Sequence, residues 1–207
     1  MAVDDNIDDV RCRVSREAAA LLYFGVEKEY KQAKLRAAEV FASHFLPNNF
    51  EVALELDKLA DEREGLARKA RLVLMRQEAL KIMKLLAAFS PLLIGSVWRG
   101  TNRVGSDIDI AVYSDLPEQI LEILKKFNIK IQHSCWVRAN KRGVTFVSYH
   151  IYVETVIENG DMEIVVRSPD EVGKPRRCEI FGDEIKGLKI AELEKILREN
   201  PTRQFLP

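Results

Sequence analysis

Two aspartates, Asp107 and Asp109, stand two residues apart in the alternating run Asp107-Ile108-Asp109-Ile110-Ala111-Val112-Tyr113. On a strand, residues i and i+2 share a face, so both carboxylates point one way while Ile108, Ile110 and Val112 point the other. Aspartate is disfavoured in strands, and neighbouring like charges repel. A solvated edge strand is one resolution. The other is a pair neutralised by divalent cations, because magnesium takes a few carboxylates together with phosphate oxygens and water. The dipeptide Gly95-Ser96 shifts the balance to the second. It lies between the apolar run Leu92-Leu93-Ile94 and a short helical piece. A glycine there admits close approach of a ligand. The N–H groups that follow are unpaired donors at a helix start, suited to an anion, and the Ser96 hydroxyl adds one more.

A two-metal site needs a third carboxylate on a neighbouring strand. Glu163, in Met162-Glu163-Ile164-Val165-Val166, has the required apolar flanks. Its competitors are Asp161, which reads as a turn residue, and Glu154, which reads as the solvent face of its strand. Arg99 and Arg103 lie beside the proposed cradle. Either can hold a triphosphate by charge-assisted hydrogen bonds, or can simply be solvated. Ser106 and Thr101 are placed to fix the loop or to touch phosphate.

Gly-Ser, then ten residues from Val97 to Ser106, then Asp-Ile-Asp-Ile resembles the signature of the polymerase-β-type nucleotidyltransferase superfamily. That superfamily includes minimal and aminoglycoside nucleotidyltransferases, CCA-adding enzymes, poly(A) polymerases and oligoadenylate synthases. The whole string from Gly95 to Ile110 is especially similar to the minimal and archaeal CCA-adding types. The resemblance covers about residues 91–167.

It implies Gly95 and Ser96 as the nucleotide-phosphate loop, Asp107 and Asp109 as metal ligands, and Glu163 at a third position more often held by aspartate. It also implies Mg²⁺, as two ions with Mn²⁺ as the alternative, and an NTP, with ATP the first choice. The reaction would be transfer of NMP to a hydroxyl acceptor with release of pyrophosphate. One ion would grip the triphosphate and the other would activate the acceptor hydroxyl, with Glu163 ligating the second ion and accepting the proton.

The acceptor stays open between a small molecule or protein and an RNA 3′ end. An RNA would use Lys125, Lys126, Lys130, Arg138, Lys141, Arg142, Arg176 and Arg177, with Trp136 for stacking. The same charges also suit solvated helix and loop faces, and no segment reads as the extra RNA-binding domains of CCA-adding enzymes. A non-catalytic nucleotide sensor or scaffold is the competing class, with the N-terminal helices as a homodimer interface. Three surviving carboxylates argue against it. Arg36 and His44, with seven residues between them, lack the usual spacing of a ribonuclease motif of the kind paired with minimal nucleotidyltransferases.

Helical periodicity covers residues 15–89, with Ser15 as N-cap and a break at Pro47. Asn48 and Glu51 form a capping box that restarts the helix. Two apolar stripes follow, one through Val52, Leu56, Leu59, Leu66, Ala70, Val73, Leu80 and Ala87, the other through Leu72, Met75, Ala79, Ile82, Leu86 and Phe89. Gly65 splits the segment. Strand signals then cover 92–94, 107–113, 129–138, 144–157 and 162–166, with a helix over 116–127. Turns are expected at Asn140–Gly143 and at Glu158–Asp161, the second carrying an Asn-Gly pair. A last helix spans 190–198.

The expected fold is α+β: a nucleotidyltransferase-type mixed β-sheet with helices on one side, preceded by an α-helical N-terminal region. The expected division is 1–89 helical, 90–170 core, and 171–207 extension.

The chain has 207 residues, 32 Lys+Arg against 32 Asp+Glu, and 47% apolar residues. The apolar fraction excludes a disordered chain, and the charge balance excludes a protein that coats nucleic acid by bulk electrostatics. No apolar run reaches a membrane span, and Asp4, Asp5, Asp8 and Asp9 do not suit a signal peptide. Cys12, Cys135 and Cys178 are odd in number and widely spaced, which points to a reducing cytoplasm and against structural zinc. His44, His133 and His150, far apart in sequence, read as ordinary surface or core histidines.

Overall fold

The computed structural model describes residues 2–141, 144–157 and 160–207. Arg142 and Gly143 of the first expected turn, Arg142 of the expected basic set, and Glu158 and Asn159 of the second turn lie outside the described residues. The chain forms two compact units. One holds residues 1–68, 177–184 and 207; the other holds 69–176 and 185–206.

The first unit contains α1 (Ala2–Tyr23), α2 (Tyr30–Val40) and the beginning of α3 (Asn49–Leu85). Val14, Ala18, Ala19, Leu22, Ala33, Ala37, Ala38 and Val52 form its core. The alanines let α1 and α2 approach closely. Ser15 is not an N-cap. It lies in mid-helix, buried, with its hydroxyl donating to Arg11 O at 2.9 Å. The expected break at Pro47 is preceded by an earlier one, after Tyr23, where Gly25 adopts φ 69°. The Asn48–Glu51 box forms as expected: Glu51 N–H donates to Asn48 Oδ1 at 2.9 Å, and Asn48 N–H to Glu51 Oε2 at 2.6 Å. Gly65 interrupts α3 with φ 52° and ψ −127°, values that a side chain with a Cβ rarely adopts. Three residues on, buried Arg68 is held by Asp57 and Asp61.

The second unit is built on five strands, β1 (Leu92–Ile94), β2 (Ile108–Tyr113), β3 (Ile131–Lys141), β4 (Val144–Glu154) and β5 (Asp161–Arg167). Their order in the sheet is β1-β2-β5-β4-β3. The pair β2–β5 is parallel and the others are antiparallel, so the sheet is mixed. The helices α4 (Gly95–Arg99), α5 (Pro117–Lys126) and α6 (Ile190–Glu199) complete the unit with the end of α3.

Strand alternation decides which side is covered. Leu93, Ile108, Ile110, Val112, Ile151, Met162, Ile164 and Val166 fall on one face and join one core with Leu72, Met75, Ala79, Ile82 and Met83 of α3, Leu86 just after it, Ile120 and Leu124 of α5, and Leu193 and Ile196 of α6. The helices thus cover one side, as expected. Of the two apolar stripes, the second is the more fully buried; the first is buried at Val52 and packs on the core at Leu80. In the first, Leu66 is 83% exposed and Ala70 and Ala87 are exposed. A helix against one sheet needs a single apolar face.

Candidate active site

The other face of the sheet carries the polar residues that alternate with this core. The register sets Asp109 beside Glu163 across β2–β5, and Glu163 beside Tyr152 across β5–β4. Asp107 precedes β2 by one residue, and its Oδ1 accepts the Asp161 N–H at 3.3 Å. Asp161 is the first residue of β5 and not a turn residue, and its carboxylate accepts from Gln132 at 3.0 Å. Glu154, at the end of β4, is exposed and paired with Lys130 at 2.6 Å.

The three expected carboxylates therefore share one region, and their charge accumulates. The Asp109 carboxyl is pushed up to about 7, first by burial and then by Glu163 and Asp107. Asp107 is raised as well, by desolvation first and then by Asp161 and Glu163, with the Asp161 N–H and Arg103 acting the other way.

Gly95 explains how Asp109 is enclosed. It adopts φ 71°, and a Cβ at this position would run into the Asp109 carboxylate. The backbone of the Gly-Ser turn is thus the wall of the carboxylate pocket, which only glycine permits. Ser96 follows in α4, where its carbonyl receives Gly100 N–H and Thr101 N–H. Ser106 fixes the loop ahead of the aspartates: its Oγ accepts the Arg103 N–H at 2.9 Å, and its own N–H donates to Arg103 O at 3.0 Å. The Arg103 guanidinium donates to Val104 O at 3.2 Å. Arg99 is turned elsewhere. It is buried, donates to Phe205 O at 3.0 Å and lies 4.5 Å from the Trp98 ring centroid.

Sequence reading missed what holds Glu163. His150 Nδ1 lies 2.6 Å from Glu163 Oε1, and Ser148 Oγ lies 2.7 Å from His150 Nε2. A carboxylate only accepts, so His150 donates from Nδ1, and its Nε2 shares a hydrogen bond with the Ser148 hydroxyl. Tyr152 also bonds Glu163, and that bond, followed by burial, raises its phenol well above the ordinary range. His133 stacks on Tyr152 with ring centroids 4.2 Å apart and 12° between planes. Ser148, His150 and Tyr152 recur at every second residue of β4. That period is the signal from which the row could have been found. Trp136 pairs with Tyr149, the first residue of β4 that packs against the helix-side core, so its ring is on the face opposite the carboxylates.

Among the described residues, no three His, Cys, Asp or Glu side chains stand converged around a point that could hold an ion. The donor set still fits a divalent cation in kind. Asp107 and Asp109 are carboxylates driven up by burial and then by neighbouring carboxylates, and among the described residues no cationic group acts on Asp109. All three cysteines are free, so none is committed to a structural bridge. No helix among the described residues is long and apolar enough to cross a membrane.

No curated protein and no solved structure matches the chain significantly. A family model does: the nucleotidyltransferase domain, over residues 77–202. The match begins in the buried half of α3, takes in the Gly95 wall, the three carboxylates and α6, and exceeds half of the chain; the protein belongs to the nucleotidyltransferase domain family.

Proposed function

We propose that the protein transfers a nucleoside monophosphate from an NTP, ATP first, to a hydroxyl acceptor and releases pyrophosphate. One observation carries the proposal. Asp109 is walled in by Gly95 beside two further carboxylates, and its own carboxyl is driven up to about 7 with nothing of opposite sign to relieve it. That is the electrostatic state of a cation site before its cation.

Asp107 and Asp109 would hold Mg²⁺, with Mn²⁺ as the alternative, and Glu163 is the third donor once it turns from His150. Bound there, divalent ions neutralise triphosphate charge and lower the pKa of the acceptor hydroxyl. The backbone at Gly95 and Ser96 would line the phosphates, and Arg103, on the loop that leads to Asp107, is the guanidinium placed to reach them. Glu163 would receive the acceptor proton, and His150 and Tyr152, which both hydrogen-bond it, would set its orientation.

A small molecule or a protein suits the acceptor better than an RNA end. Trp136 is turned to the opposite face, and Arg176 is engaged with Glu171 and sits over the Phe146 ring. We read residues 90–170 as the catalytic core, 1–89 and 171–207 as its extensions, the N-terminal helices as a homodimer surface, and the cytoplasm as the setting.

Calorimetry with Mg-ATP tests the site. The wild type should bind and Asp107→Ala/Asp109→Ala should not; equal affinity overturns the assignment. Incubation with labelled NTPs and a cell lysate tests the chemistry. Label on a protein or small molecule supports the acceptor class, label on RNA replaces it, and tight binding without label turns the protein into a sensor.

A further inference from the structure

The five-residue helix α4 is about 7.5 Å long, too short to hold a position by its own hydrogen bonds. Its N-terminal residue is Gly95, the wall against Asp109. What fixes its other end therefore bears on the site.

That end is enclosed too. Gly100 adopts φ 76°, and a Cβ there would lie 2.9 Å from Arg203 O and 3.2 Å from Gln204 Cγ. Each of the last carbonyls of α4 has a donor. Arg76 Nε donates to Val97 O at 3.1 Å and Arg76 Nη2 to Trp98 O at 2.9 Å. Phe205 N–H donates to Arg99 O at 2.8 Å, and Gln204 Nε2 to Gly100 O at 3.2 Å. The same Arg76 binds the segment that follows α6, through Pro201 O at 2.6 Å and Arg203 O at 2.8 Å. Trp98 stacks on Phe205 with centroids 6.5 Å apart, and Arg99 closes back onto Phe205 O.

Arg76 is fully buried and is lowered to about 10 by burial alone. Among the described residues it has no carboxylate partner. Packing alone would be served better by an apolar side chain, since a buried charge is costly. What a guanidinium adds is a fixed arrangement of four carbonyls from two separate segments.

We infer that Arg76 and the segment Pro201–Phe205 form a strap that sets Gly95 against Asp109 through α4, so that nucleotide binding depends on residues that never touch the nucleotide. Arg99 is then a positioning residue and not a phosphate ligand. The inference rests on the nucleotidyl-transfer reading of the site.

The test compares three variants of the full chain by calorimetry with Mg-ATP and by thermal melting. Phe205→Ala should weaken binding at least tenfold, and the conservative Phe205→Tyr should bind as the wild type does. Leu121→Ala, in α5 and part of the same core, is the stability control. It should lower Tm comparably and leave affinity unchanged. Wild-type affinity in Phe205→Ala overturns the strap, as does an equal loss in Leu121→Ala. If the wild type itself binds no Mg-ATP, the site reading fails separately, and amide hydrogen exchange decides the strap. Phe205→Ala must then speed exchange at residues 96–101 more than Leu121→Ala does, and equal rates overturn it.

Discussion

The two ends of α4 set two buried charges against each other. Behind it, Arg76 is fully buried without a counter-ion among the described residues, yet its donors meet carbonyls of Val97, Trp98, Pro201 and Arg203. In front of it, Asp109 is enclosed beside two other carboxylates and carries no such compensation. Burying a charge costs free energy in both places. The rear charge is answered by the backbone and is complete as folded. The front charge is answered only by something added. On the proposed function, the front is the place where a cation would be received.

The largest effect should come from the completed end. Arg76→Met removes the donor of four carbonyls, two buried and two part-buried, and should cost about 3–5 kcal/mol of stability. Urea unfolding measures it; a loss below about 1 kcal/mol would mean that water takes over the carbonyls and that the rear end is not complete.

The open end should respond with the opposite sign. Asp109 has a folded pKa near 7, above its unfolded value. The folded state therefore binds more protons between those two values, and its stability falls as pH rises through that window. Asp109→Asn escapes this penalty. Without metal it should be more stable than the wild type by about 1–3 kcal/mol at pH 8, with the gap closing near pH 4. Mg²⁺ should reverse the order at pH 8 by stabilising only the wild type. Denaturant melts at the two pH values, with and without Mg²⁺, read both signs. A wild type more stable than Asp109→Asn in metal-free buffer at pH 8 would end the comparison.

The smallest effect concerns the link from Glu163 to β4. His150→Ala should lower kcat about tenfold with KM for ATP little changed, as loss of an outer hydrogen bond typically does. His150→Asn, which keeps a donor, should recover part of it. Steady-state kinetics on both variants measures the split, and a change confined to KM would place His150 in nucleotide binding instead.

Much of the site was legible because its signals are local. Gly95-Ser96 and Asp107-x-Asp109 suggest their chemistry within fifteen residues, and apolar flanks singled out Glu163, which the β2–β5 register sets beside Asp109. The Asn48–Glu51 box was legible for the same reason, since both partners lie within one helical turn. Ser15 was misread because a capping residue type in mid-helix, bonded back to Arg11 O, looks the same in sequence. Arg99 was read as lying beside the phosphate cradle, and one of its partners, the Phe205 carbonyl, is 106 residues away. Arg76 passed unnoticed although it interrupts the apolar stripe between Met75 and Ala79. A charged residue on a buried face was the available sign, and the carbonyls that explain it lie up to 127 residues away.

The sequence by itself determined which residues can hold charge and on which face of a strand they stand, because the period of two is a property of the backbone. Only the tertiary structure decided which of those charges would be answered. Whether a guanidinium meets a triphosphate or a carbonyl, and whether Glu163 faces a cation or His150, depends on segments that arrive from far along the chain. Alternation assigns a face, and packing assigns the neighbour.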